Sequence, residues 1–300
     1  MHDERLTEQR NPRSRRIDLL SPAEIVDLIN SEDRGVTEAV GEEREAIARA
    51  LQLALAAFRA GGRLLYVGAG TSGRLGVLDA AEMPPTFGTD PEMVQGVIAG
   101  DLPALTRAQE GAEDSLEAGA EALGILEPSP KDFVLGIATS GTTPFVHGAL
   151  GLARERGAKT GILVCTPPAE DLIRLHDVVI APLTGPEVIT GSTRMKAGTA
   201  TKLVLNTITT GAMVLSGYVY GNLMVDLQVT CEKLQDRGER ILQEMLGLER
   251  GQATELLERA GGHVKTALVM GRLDIDADEA RRRLDEAGGV IARIVGPLAP

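Results

Sequence analysis

Two stretches decide the fold: Arg63-Leu-Leu-Tyr-Val-Gly-Ala-Gly-Thr-Ser-Gly-Arg74 and Phe133-Val-Leu-Gly-Ile-Ala-Thr-Ser-Gly-Thr-Thr-Pro144. Each is a short apolar run that ends in Gly, Ser and Thr and then enters a helical pattern. A run that is apolar at nearly every position suits a parallel strand covered on both faces. The loop behind it offers free backbone N–H groups, hydroxyls and a helix N-terminus, a combination that suits an anion. Two such loops predict one site for a phosphorylated small molecule.

Outward from this pair, the spans 94–99, 161–165 and 177–181 read as further strands beside 63–68 and 133–138. Helical patterns over 72–82, 102–123 and 143–156 separate most of them. Upstream, Ser21-Pro22-Ala23-Glu24 is a capping-box pattern that opens a helix through Ile29, and a second helix over 42–59 stops at Gly61-Gly62. Strands alternating with helices predict an α/β fold, a doubly wound parallel sheet of flavodoxin-like type with N-terminal helices. Ligands in such sheets bind beyond the carboxyl ends of the strands, where both Ser/Thr loops fall. Beyond Ser192 the spans 192–216 and 223–246 read as long helices, and short amphipathic helices follow from Leu248 to Val295. The expected organisation is an N-terminal arm over 1–20, a phosphate-binding domain over 21–230 and a small helical subdomain over 231–300. The first sixteen residues of the arm read as disordered or as clasping a partner.

Composition narrows the function. A formal net charge of −12, no Trp and 2% aromatic residues argue against a nucleic-acid surface, which needs basic patches and stacking platforms. An anionic substrate must then be held by local donors against the global field. Cys165 and Cys231 stand far apart, with neither zinc-ligand spacing nor a disulfide framework, so the expectation is a reducing cytoplasm with no metal and no cofactor. The charged first sixteen residues lack the apolar segment of a signal peptide. The longest apolar region, 203–225, is interrupted by Asn206, Ser216, Asn222 and several Thr, which favours buried helices over a membrane span.

Gly68, Gly70 and Gly73 also match the G-x-G-x-x-G pattern of dinucleotide folds, with Asp101 as a late candidate for the ribose. That reading has no use for Thr139-Ser-Gly-Thr-Thr143. Helix capping alone is the plain structural alternative for both loops. Glu187-Val-Ile-Thr-Gly-Ser-Thr-Arg-Met-Lys-Ala-Gly-Thr199 is a third hydroxyl-rich segment. There Ser192 and Thr193 are possible caps, and Arg194 and Lys196 supply charge; a helix start with solvated cations fits equally. Glu82 ends the first loop's helix just before Pro84-Pro85, where the negative end of the dipole favours its protonated form and a general-acid role. Glu110, Glu113, Asp114 and Glu117 crowd the expected 102–123 helix, with Glu110, Glu113 and Glu117 on one face. Spacing does not select a base among them. His147, His176 and His263 have no motif around them and read as structural.

With these residues assembled, the chain resembles the N-acetylmuramic acid 6-phosphate etherases of the sugar isomerase (SIS) superfamily. The resemblance runs through Leu6-Thr-Glu-Gln-Arg-Asn11, Gly68-Ala-Gly-Thr-Ser-Gly-Arg-Leu-Gly76, Asp79-Ala-Ala-Glu82, Glu110-Gly-Ala-Glu-Asp-Ser115, Thr190-Gly-Ser-Thr-Arg-Met-Lys-Ala-Gly-Thr199 and Gly221-Asn-Leu-Met-Val-Asp226. It implies cleavage of the D-lactyl ether at carbon 3 of the sugar by elimination and hydration, with Glu82 as the acid and Glu113 as the base. The hydroxyl loops themselves offer Thr71, Ser72, Ser140, Thr142 and Thr143 as phosphate and hydroxyl donors, with Ser192, Thr193 and Lys196 as further contacts, and the resemblance implies a homodimer. The glucokinase-regulator branch, a sugar-phosphate sensor, shares the fold, and an aldose–ketose isomerase is the other alternative. Two positions depart from the family pattern: Thr142 stands where Arg is usual, and Met83 where Cys is common.

Overall fold

The computed structural model describes residues 6–226 and 232–298; Cys231 and the first five residues of the arm lie outside the described residues. Single 3₁₀ turns at Leu6–Glu8 and Ile17–Leu19 precede α1 (Pro22–Glu42) and α2 (Arg44–Arg59). Then follow β1 (Leu64–Gly68), α3 (Gly70–Ala81), α4 (Met83–Phe87), β2 (Val94–Ile98), α5 (Pro103–Thr106), α6 (Leu116–Gly124), β3 (Phe133–Ile137) and α7 (Pro144–Glu155). The chain continues through β4 (Lys159–Leu163), α8 (Glu170–Leu175), β5 (Val178–Ile180), α9 (Lys196–Leu215), β6 (Val219–Tyr220) and β7 (Leu223–Met224). It closes with α10 (Glu232–Leu246), α11 (Arg250–Arg259), α12 (Val264–Leu273), α13 (Ala277–Glu286) and α14 (Ala292–Val295). Two compact units result: Met1–Ala81 with Pro91–Thr209, and Glu82–Asp90 with Thr210–Pro300.

The first unit is the expected α/β fold. Its five strands run parallel in the order β2-β1-β3-β4-β5. β1 and β3 are buried at every residue because helices cover both faces. The chain leaves β1 for β2 on one side and returns to β3 on the other, so β1 and β3 flank the topological switch point. Arg63 fastens their lower ends, its guanidinium 2.9 Å from the fully buried Asp132 carboxylate. Burial works to raise the Asp132 pKa, but the Arg63 hydrogen bond and the Ser129 N–H outweigh it and hold the carboxyl below its ordinary value. A second buried knot lies beside the upper half of β1. The Tyr66 hydroxyl donates to Asp79 on α3 at 2.9 Å, and Asn206 and Thr209 of α9 donate to the same carboxylate at 2.6 and 3.3 Å. These bonds satisfy a buried carboxylate whose burial pushes its pKa up.

In the second unit, α10 to α14 surround one apolar core that includes Leu242, Leu257, Val264, Leu268 and Ala280. Among the described residues, no helix is long and apolar enough to cross a membrane.

Three expectations are corrected. Residues 102–123 are not one helix. α5 stops at Thr106, Gly111 takes a left-handed φ of +75°, and Ser115 opens α6 by accepting from the Ala118 N–H at 3.0 Å. Glu110, Glu113 and Asp114 therefore sit on a turned segment and share no helix face with Glu117. Residues 223–246 are not one helix either: Leu223 and Met224 pair back on Val219 and Tyr220 as a hairpin, and α10 begins at Glu232. The described part of the arm is ordered on its own chain. Thr7, Asn11 and Ser14 are buried; the Ser14 hydroxyl donates to the Val188 carbonyl at 2.7 Å, and the Thr7 carbonyl accepts from the Gly191 N–H at 3.2 Å.

His176 gives the fold a pH signature. Its Nδ1 lies 3.1 Å from the Thr160 hydroxyl, and burial, helped by Arg154 and His147, pulls its pKa down to about 4. The unfolded imidazole titrates near ~6.5, so protons favour the unfolded chain. Its contribution to stability is complete above about 6.5 and is lost as pH falls toward the folded value. Urea midpoints measured across this window should fall less steeply for His176→Gln than for the wild type.

Candidate active site

β1 and β3 pair in register, with Gly68 opposite Ile137, so their loops leave the sheet at the same height and side by side. A cavity of about 450 Å³ lies over them, within the first unit. Ala69, Gly70, Thr71 and Ser72 line it from the first loop, and Ile137 to Ser140 with Thr142, Thr143 and Pro144 line it from the second. Glu113, Asp114, Gly191, Thr193 and Glu8 complete the wall.

Each loop has a local cause. α3 begins almost on top of β1: a Cβ at Gly73 would lie 2.6 Å from Ile98 Cγ1 and 2.7 Å from the Gly68 carbonyl oxygen. Glycine there lets the first turn of the helix, and its free N–H groups, reach the strand end. This is the physical use of the Gly68, Gly70 and Gly73 pattern in the present fold. In the second loop Gly141 adopts φ +75°, and its carbonyl is held by His147 Nε2 at 2.9 Å. His147, expected to be structural, thus steadies the loop. The Ser140 and Thr142 hydroxyls lie 3.0 Å apart, and both residues line the cavity. Thr143 takes the N-cap position of α7 but makes no side-chain capping bond, so its hydroxyl is not consumed by the helix.

The turned 107–115 segment explains Glu113. Its backbone carbonyl accepts from the Phe145 N–H at 3.0 Å, which fastens it to the first turn of α7. That bond sets an exposed carboxylate in the cavity wall beside the second loop. Glu82 is also exposed but belongs to the second unit, where it occupies the N-cap position of α4 without a side-chain capping bond.

The third segment is placed differently from the sequence expectation. α9 begins at Lys196, and neither Ser192 nor Thr193 caps it. The cap is Glu187, nine-tenths and more buried, whose carboxylate accepts from the Lys196 and Ala197 N–H groups at 3.0 and 2.9 Å. Burial pushes the Glu187 pKa up while those two amides pull against it. A cap nine residues upstream has no short sequence signature. Thr193 reaches the cavity wall, whereas Ser192 and Lys196 do not line it. Lys196 is buried instead, its ammonium 2.9 Å from the Glu32 carboxylate, which also accepts from Asn11 at 2.7 Å. Glu8 was not singled out by the sequence reading; it enters the wall because the arm is bonded to the 186–191 loop.

The wall contains three carboxylates and, among the described residues, no Lys or Arg. An anion here is met by hydroxyls, backbone N–H groups and the N-termini of α3 and α7. Also among the described residues, no cluster of three or more His, Cys, Asp or Glu is placed to hold a metal ion.

Residues 46–154 match the family model of the glucokinase regulatory protein N-terminal SIS domain. An N-acetylmuramic acid 6-phosphate etherase of Salinibacter ruber is 55% identical over 95% of this chain and 92% of its own length. The etherase of Crocosphaera subtropica is 52% identical over 95% of this chain and 93% of its own. The chain belongs to the N-acetylmuramic acid 6-phosphate etherase family. Its fold is the α/β SIS fold. Phosphoheptose isomerase GmhA of Neisseria gonorrhoeae overlaps 65% of this chain and all of its own, with a TM-score of 0.48 and 17% identity.

The buried position of Lys196 sets a measurable expectation for this family member. Lys196→Met should lower the free energy of unfolding by about 2 kcal/mol, less than the roughly 3–5 kcal/mol lost when a buried ion is left alone, because Asn11 and Arg13 still bond Glu32. Urea denaturation of the variant measures it, and an unchanged midpoint would contradict the anchoring role.

Proposed function

We propose that this protein cleaves the D-lactyl ether of N-acetylmuramic acid 6-phosphate, giving N-acetylglucosamine 6-phosphate and D-lactate. The observation that carries the reading is the near full-length identity to the etherases. The cavity supports it, with its paired hydroxyl loops and the Glu113 carboxylate in one wall.

The sugar reacts in its open-chain form. The aldehyde acidifies the proton on carbon 2, and Glu113 removes it. The bond from carbon 3 to the lactyl oxygen then breaks, its electron pair leaving with oxygen, and Glu82 supplies the proton. The product is an unsaturated aldehyde. Water adds at carbon 3, a proton returns to carbon 2, and N-acetylglucosamine 6-phosphate results. Positioned acids and bases each contribute roughly 10²–10⁴-fold to such steps. Thr71, Ser72, Ser140, Thr142 and Thr143 hold the phosphate through hydroxyls and loop amides, and Thr193 extends the donor set. Lys196 serves through the arm, by its pairing with Glu32, rather than by direct contact. Thr142, in place of the family's usual Arg, leaves the phosphate to neutral donors. The enzyme acts in the cytoplasm as a homodimer, in recycling of cell-wall amino sugars.

D-lactate release from N-acetylmuramic acid 6-phosphate tests the reading. Wild type should release it, while Glu82→Gln and Glu113→Gln should each lower kcat by about 10²-fold or more with the fold retained. Folded wild type that binds the sugar phosphate without releasing lactate would overturn the enzyme reading in favour of a sensor. Conversion of an aldose phosphate to a ketose phosphate would favour the isomerase.

A further inference from the structure

α4 spans only Met83–Phe87, far too short to hold itself as a helix. Glu82 sits at its N-terminus, so whatever holds α4 also places that carboxylate. Contacts of Phe87 and Gly88 within the second unit do so. The Phe87 ring meets the Tyr218 ring edge to face, with centroids 6.3 Å apart and planes at 80°. Gly88 ends α4 in a left-handed conformation at φ +67°, its N–H donating to the Pro84 carbonyl at 2.8 Å. A Cβ on Gly88 would lie 2.6 Å from the Asp226 carbonyl oxygen, so the end of α4 rests directly on the backbone there.

Tyr218 and Asp226 flank the β6–β7 hairpin, and one side chain of the helical bundle holds both. Lys265, in the first turn of α12, places its ammonium 5.5 Å from the Tyr218 ring centroid and pairs with the Asp226 carboxylate. Its side chain is 12% exposed and that of Asp226 35%, so the cation is the more shielded of the two. Phe87 is buried, and Tyr218 and Lys265 are half-buried.

We infer that Lys265 is a positioning residue for the general acid: through Tyr218 and Asp226 it fastens α4 to the helical unit and so sets where Glu82 presents its proton. This gives the C-terminal helices a part in the reaction. The inference rests on the proposed etherase chemistry and on Glu82 as its acid.

The two half-steps of the elimination separate this role from a general loss of structure. Removal of the carbon 2 proton needs the base, whereas departure of the lactyl oxygen needs the acid. Lys265→Met keeps the aliphatic stem and removes the charge. In D₂O it should still exchange deuterium into carbon 2 of the substrate at the wild-type rate, with KM unchanged. Its kcat for D-lactate release should fall on the order of 10-fold or more, since small misplacements of a reacting group are costly. Lys265→Arg, which keeps the cation and its reach, should restore most of that loss. Exchange and lactate release falling together, or kcat unchanged in Lys265→Met, would overturn the inference. Failure of the underlying chemistry looks different: wild type would release no lactate, or Glu82→Gln would release it at the wild-type rate.

Discussion

The in-register pairing of β1 with β3 is the constraint on which the site depends. Gly68 and Ile137 stand opposite each other across the hydrogen-bonded ladder. Two loops separated by some seventy residues of chain are thereby brought to one level at the switch point of the sheet. The Arg63–Asp132 pair sets the register from below, and the Tyr66–Asp79–Asn206 knot ties α3 and α9 to the same strand. A slip of one residue would turn every side chain of the strand to the opposite face and would part the hydroxyl loops.

The site that results is unusual in its charge. An acidic protein receives an anion in a wall that carries Glu8, Glu113 and Asp114 and, among the described residues, no cation. Helix N-termini and hydroxyls make this workable, because their dipoles act at short range where the global field is weakest relative to contact. Lys196 is committed to Glu32, and that pair holds the arm that delivers Glu8. A residue that reads from sequence as a phosphate ligand is instead part of the frame.

The two carboxylates of the proposed chemistry are mounted differently. Glu113 depends on one backbone bond to the start of α7 in the first unit. Glu82 depends on an aromatic and ionic clamp in the second. Each is carried by a short, irregular piece of chain whose position is borrowed from larger elements, as is common where side chains must meet a substrate.

The sequence alone determined the parallel sheet, because continuous apolar runs ending in Gly, Ser and Thr have few other stable uses. It also determined the two loops, since their hydroxyls and helix starts are local properties of the chain. It did not show that residues 102–123 break after Thr106, because the acidic residues there fit a helical period that extended Arg107 and left-handed Gly111 interrupt. Nor did it show Glu187 as the cap of α9, the burial of Lys196, or the entry of Glu8 into the wall. Those are through-space partnerships between distant residues. Propensity and periodicity describe what a segment does with its own neighbours, while the partner that satisfies a buried charge or an open helix end is chosen only when the chain has folded.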